Sequence, residues 1–231
     1  MQTSSTRRFR VLDSSRRLAV LFLVAAFQGG AFQYGALNAR AAQNIALETN
    51  NSWTQQLRSP QVQRAALSLS RRAVAQFLQN GSTLRVPQNI PAALKQRAGV
   101  FVTVEKHGQI TPRGCRGTLQ PITNTLAQEI VRNSVAACIR DATQPKLRRD
   151  ELAQCRISLT VVIRVQPISS IAQHNTNGNG LIAQNGSRIG VVLPYEGHDA
   201  QTQLAWARRK AAIKTNESAQ LSELFAVRFR E

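Results

Sequence analysis

The chain has 231 residues, 42% hydrophobic and 18% charged, enough for one hydrophobic core and too apolar for wholesale disorder. Thirty Lys and Arg against twelve Asp and Glu give a net charge of +18, which points towards anionic partners. Aromatic residues at 5% argue against base stacking on nucleic acid, and three scattered cysteines are too few for a disulfide scaffold or a structural zinc site.

The first residues carry Arg7, Arg8, Arg10, Arg16 and Arg17, followed by an apolar run over 18–27. That run is about half the length of a bilayer-spanning helix. Ala39-Arg40-Ala41 then offers a small-x-small cleavage site. This order predicts a secretory signal peptide over 1–41, with an uncleaved signal anchor as the alternative. The charge would fall from +18 to +13, because those residues hold six arginines and one aspartate. Export to a periplasmic or other extracytoplasmic space would also place the thiols in an oxidising compartment. Residues 42–60 read as a polar linker with Trp53 as its anchor, and the folded domain as 61–231.

Within that domain Val62, Ala66, Leu69, Ala73 and Phe77 recur at three- and four-residue steps, predicting a helix over 61–79 that Asn80-Gly81 ends. Residues 99–105 read as a strand, and Lys106 to Gln109 as a turn returning through Ile110 and Thr111. A second helix is expected over 123–140, with Thr123 as N-cap and Leu126, Ile130, Val131, Val135 and Cys138 on its apolar side. Residues 155–165 form the clearest strand. Cys155, Ile157, Leu159, Val161, Ile163 and Val165 share one face, and Arg156, Ser158, Thr160 and Arg164 the other. Asn185-Gly186 joins a further hairpin. A third helix spans 199–213, with Arg208, Arg209 and Lys210 near its carboxyl end. Phe225, Val227 and Phe229 alternate in the tail. Helices interspersed with hairpins predict an α+β fold, a largely antiparallel sheet with flanking helices and room for a small second lobe.

The run Arg113-Gly114-Cys115-Arg116-Gly117 is the sharpest chemical feature. Flanking arginines favour a thiolate at Cys115 and can grip a carboxylate or phosphate, while Gly114 and Gly117 allow close backbone approach or a tight turn. The bland alternative is a glycine-bearing bend with an inert cysteine. Cys138 and Cys155 read as core, and a Cys115–Cys138 disulfide is conceivable after export. His107, His174 and His198 fall in turns and read as solvated. No metal-ligand spacing, nucleotide loop or cofactor fingerprint is present, so neither metal nor cofactor is expected.

At this motif the sequence resembles the AMMECR domain family, whose bacterial and archaeal members belong to the AmmeMemoRadiSam grouping. The family's Leu-Arg-Gly-Cys-Ile-Gly reads Pro112-Arg113-Gly114-Cys115-Arg116-Gly117 here, and its Ala-Ala-Phe-x-Asp-Pro-Arg-Phe-Pro-Pro-Leu falls on 137–147. Glu151-Leu152, Arg156 to Leu159, Gly180 to Ile182, Val192 to Pro194 and Lys210-Ala211 follow in the family's order. Three departures stand out. Thr143-Gln144 replaces Arg-Phe, Ala212 replaces the glycine of Lys-Ala-Gly, and Arg116 replaces an aliphatic residue. The resemblance implies an α+β fold and a site around the motif, without a reaction.

Two functions follow as expectations. In one, the motif is a ligand or thiol site for an anionic small molecule, with Cys115 as nucleophile or redox thiol, Asp141 orienting a polar partner and Arg113, Gly114, Arg116 and Gly117 binding the ligand. In the other, the domain is a non-catalytic basic module on an anionic envelope component, membrane surface or acidic protein, with no specific nucleic acid partner.

Overall fold

Six strands carry the alternation seen in the sequence: β1 Val100–Lys106, β2 Gly114–Gly117, β3 Cys155–Ile168, β4 Asn179–Asn185, β5 Arg188–Val192 and β6 Gln220–Arg230. In the computed structural model, which describes residues 51–108, 112–139 and 145–231, they form one antiparallel sheet in the order β2-β1-β3-β6-β4-β5. The fold is therefore α+β, as expected. The signal-peptide reading over 1–41 lies outside the described residues.

Helices α1 (Pro60–Asn80) and α2 (Leu126–Ile139) cover one face of β1 and β3. Val100, Val102 and Val104 alternate into that layer with Ile157, Leu159 and Val161, meeting Leu69, Ala73, Leu126 and Ile130, all buried. Each such aliphatic side chain contributes roughly 1.5–3 kcal/mol of burial. Ser59 caps α1, its hydroxyl accepting from Val62 N–H at 3.3 Å, and Gly81 ends it at φ 75°, a left-handed turn that suits glycine. The second helix starts at Leu126, the first residue of its apolar side, and not at Thr123. Thr125 accepts from Gln128 N–H at 3.2 Å, while Thr123, the expected cap, is drawn away to Glu129. Residues 51–58, read as linker, are helical. Trp53 is an anchor, donating from Nε1 to the Ala93 carbonyl at 3.0 Å, and Leu57 beside it is fully buried.

Helix α3 (Ala200–Lys210) packs on β4 and β5 through Leu181, Ala183, Val192 and Ala207, a second small core. Gly190 allows the approach, since a Cβ there would stand 1.8 Å from the Ala207 carbonyl oxygen. Asp199 caps the helix by accepting from Thr202 N–H at 2.8 Å.

Two expectations are corrected. The apolar face of β3 does not run through to Val165: the register slips between Val162 and Arg164, so Val162 is buried and Val165 is 38% exposed. His174 is not solvated. Its ring is enclosed between β6 and α3, with Nδ1 3.0 Å from Glu223 Oε1 and Nε2 2.7 Å from Gln203 Oε1. The turn brings it under α3, where its two ring nitrogens meet the Glu223 carboxylate and the Gln203 amide oxygen, while Gln203 Nε2 is buried without a hydrogen-bond partner. His107 and His198 are exposed. Among the described residues, no helix is long and apolar enough to cross a membrane.

Candidate functional site

Strand alternation decides which groups meet at the motif. With Val100, Val102 and Val104 committed to the helical side, Phe101, Thr103 and Glu105 point to the other face of the sheet. Cys115 pairs with Thr103 across the β1–β2 ladder, so its thiol shares that face. Sγ lies 3.4 Å from Thr103 Oγ1, and Thr103 Oγ1 lies 3.4 Å from the Tyr195 hydroxyl. Thr160 donates to the same hydroxyl at 3.3 Å. Tyr195 comes from the β5–α3 connection and lies flat against Arg228, whose guanidinium carbon is 3.3 Å from the ring centroid. Burial pushes the Tyr195 hydroxyl above the ordinary tyrosine range, against the opposing pull of Thr103, Thr160 and Arg228. It therefore stays protonated and able to donate.

Beside this row is a cleft of about 240 Å³. Phe101, Val191 and Leu193 make its apolar wall; Cys115, Arg116, Gly117, Glu196 and Lys210 complete it. Lys210 Nζ holds Glu196 at 2.6 Å and the Val191 carbonyl at 3.0 Å. At Gly117 the space a Cβ would need is taken by Phe101, with ring and Cα within 2.5 Å. This glycine admits a neighbouring side chain to the site wall. Gly114 is buried.

The motif's two arginines separate. Arg116 is exposed on β2 at the cleft rim. Arg113, expected to meet a ligand, is buried and committed within the protein. It donates to Glu151 Oε1 and Oε2 at 3.2 and 2.9 Å, to the Pro145 carbonyl at 2.6 Å and to the Lys146 carbonyl at 3.1 Å. The Arg113 hydrogen bonds, and then that from Arg148 N–H, hold the Glu151 carboxyl below the usual range. Arg113 thus fastens residues 145–151 to the start of β2, and its charge acts on the thiols of Cys138 and Cys155. Asp141 lies outside the described residues.

None of the three cysteines is in a disulfide; Cys115 is half-buried and the other two are buried. Burial pushes the Cys138 thiol up to about 12 and raises that of Cys155. Cys138 belongs to the helix-covered core, while the Cys115 thiol faces Thr103 across the sheet.

Sequence reasoning missed Glu129, a fully buried carboxylate behind the motif. It accepts from Thr118 Oγ1 at 2.6 Å, from Thr123 Oγ1 and N–H at 2.7 and 3.0 Å, from Ile122 N–H at 3.3 Å and from Asn133 Nδ2 at 3.3 Å. Burial alone would raise its pKa; the hydrogen bonds from Thr118 and Thr123, with that of Ile122, outweigh it and leave the pKa lowered. The strap leaving β2 is thereby held to α2. The available signal was an acidic residue three positions from Leu126, next to Ile130 on the apolar side of a helix.

The sequence profile of the AMMECR1 family matches residues 67–231, most of the described chain. The chain belongs to the AMMECR1 family. A Thermotoga maritima protein is 34% identical over 146 residues, 62% of this chain and 83% of its own length. A Clostridium acetobutylicum protein, CA_C1420, is 29% identical over 170 residues, 71% of this chain; the match spans only 36% of that longer protein. The crystal structure of the uncharacterized protein PH0010 from Pyrococcus horikoshii superposes with a TM-score of 0.67 at 24% identity, covering 72% of this chain and 89% of that one, which shows a shared fold.

Proposed function

We propose that this AMMECR1 domain binds a small ligand with an apolar body and an acidic group in the cleft at Cys115. The observation that carries the reading is the placement of the thiol. Of the three cysteines it alone is not buried, and it stands in a cleft wall at the end of a hydroxyl row formed with Thr103 and Tyr195. The apolar wall would take the body of the ligand. Arg116 at the cleft rim would take its acidic group. Within this proposal the domain works outside the cytoplasm, because a basic stretch, a short apolar run and Ala39-Arg40-Ala41 stand in leader order.

The test compares alkylation of Cys115 in the native protein by iodoacetate, an anion, and by neutral iodoacetamide. Relative to a free cysteine peptide, Cys115 should favour iodoacetate, and Arg116→Gln should remove the preference. A Cys115 that neither reagent reaches in the folded protein, or a preference indifferent to Arg116→Gln, would refute the reading. In that event the basic surface module becomes the better account, on the net charge of +13 left after residues 1–41.

A further inference from the structure

Glu105, on the same sheet face as Cys115, is one carboxylate shared by three guanidiniums. Its oxygens lie 3.4 Å from Arg156 Nε, 3.0 Å from Arg228 Nη2 and 2.5 Å from Arg230 Nη2. The ladder assembles them. Glu105 pairs with Arg156, and on β6 Arg228 and Arg230 pair with Thr160 and Ser158, four and two residues along β3 from Arg156. Positions of equal parity on adjacent strands put all four side chains on one face. Three positive charges thus meet one negative charge. Arg156 Nε meets Glu105 only as an ion pair, without a hydrogen bond, and Arg228 Nε is buried with no hydrogen-bond partner although Nη2 also reaches Ser158 Oγ at 3.3 Å, so the guanidiniums keep donors that Glu105 does not satisfy. Their outer ends are reached from solvent: the side chains of Arg156, Arg228 and Arg230 are 35%, 27% and 44% exposed.

Arg230 also lines a cleft of about 450 Å³ between α1 and the end of β6, with Arg64, Ser68, Arg71 and Arg72. There Arg71 is held by Glu231, while Arg64 and Arg72 stand exposed on the helix. Arg230 therefore links two groups around the end of the sheet: Glu105 with Arg156 and Arg228 on the face away from α1, and Arg64, Arg71 and Arg72 on α1 with Glu231. All six cations are arginine, whose planar fork binds tetrahedral oxyanions in pairs of hydrogen bonds.

We propose that this surface is a binding site for a condensed-phosphate group, free or carried on a small phosphorylated molecule. A chain of tetrahedral phosphates supplies several charges and acceptors in many directions, which the single Glu105 carboxylate does not. One phosphate is taken at the outer Nη groups of Arg156, Arg228 and Arg230, and the chain continues past Arg230 towards Arg64 and Arg72. Glu105 holds the guanidiniums in place and competes with the ligand. The site uses none of the residues lining the Cys115 cleft.

The test is calorimetric titration of the full chain with sodium tripolyphosphate at fixed ionic strength, with chloride as control. Saturable binding should weaken about tenfold in Arg230→Gln and in Arg64→Gln, the latter an exposed helix position that leaves the fold intact. Glu105→Gln should tighten it. Arg116→Gln should leave it unchanged, so failure of the Cys115 reading and failure of this one are distinguishable. Equal affinity for tripolyphosphate and a nucleoside triphosphate assigns the site to the phosphate chain itself; tighter binding of the latter assigns it to a phosphorylated molecule. Binding that chloride matches, or that survives undiminished in both arginine variants, overturns the proposal. Tighter, arginine-dependent binding of RNA or of anionic vesicles overturns the small-anion assignment in favour of a polymer or membrane contact.

Discussion

Replacing Ala212 by glycine should stabilise this protein. Ala212 follows α3 at φ 52°, the left-handed region, and is the one non-glycine residue there among those described. The helix ends in a paired reverse turn: Ala212 N–H reaches the Arg209 carbonyl at 3.1 Å, and Ile213 N–H the Arg208 carbonyl at 2.9 Å, with Ile213 buried behind. This hydrogen-bond pattern places its left-handed residue at position 212. A side chain there costs about 1–2 kcal/mol. Glycine removes that cost and returns about 0.4–1 kcal/mol through the greater freedom of the unfolded chain. Ala212 is exposed, so no packing is lost. The net gain is about 0.5–1 kcal/mol, or roughly 1–4 °C in Tm for a domain of this size. Thermal and urea unfolding of Ala212→Gly measure it. Ala211→Gly is the control: Ala211 is right-handed at φ −87°, and glycine there should destabilise by about 0.5–1 kcal/mol or more. An Ala212→Gly protein no more stable than the parent would refute the argument. The glycine of the AMMECR pattern at this position is then explained by backbone conformation rather than by a ligand.

Glu129→Ala should cost about 3 kcal/mol or more, because it strands the donors of Thr118, Thr123, Ile122 and Asn133; urea unfolding measures this. Its folded pKa is lowered, so its stabilisation is present above the unfolded value of about 4.3 and is lost as pH falls through the folded value. The stability gap between the parent and Glu129→Gln should accordingly narrow as pH drops below about 4. Arg113→Met should cost about 3 kcal/mol by leaving Glu151 without its partner, and a melting temperature unchanged by it would count against the fastening role. At pH 8, iodoacetamide should modify Cys115 alone in the native protein, with Cys138 and Cys155 reacting only in denaturant; peptide mapping reads the order.

Residue pattern alone determined helices α1 to α3, the antiparallel sheet and the burial of Cys155, because those follow from local periodicity, turn chemistry and alternation, while the helical stretch at 51–58 read as a linker. It also singled out the Arg-Gly-Cys motif, and the family resemblance marked Ala212 where glycine is usual. The rest waited on which strands became neighbours. Arg113 and Arg116 look equivalent beside Cys115 in the chain, yet one is consumed by Glu151 and the other lies at a cleft rim. Thr103, Tyr195 and Arg228 are separated by 92 and 33 residues of sequence and meet only because β1, β3 and β6 lie side by side under the β5–α3 connection. Thr123 looked like a cap, and Glu129 drew no notice, because only the packing of α2 against the strap that follows β2 brings the two together. Local signals report what a segment does with its own backbone; charges and hydroxyls find partners through strand order, which no short window of sequence contains.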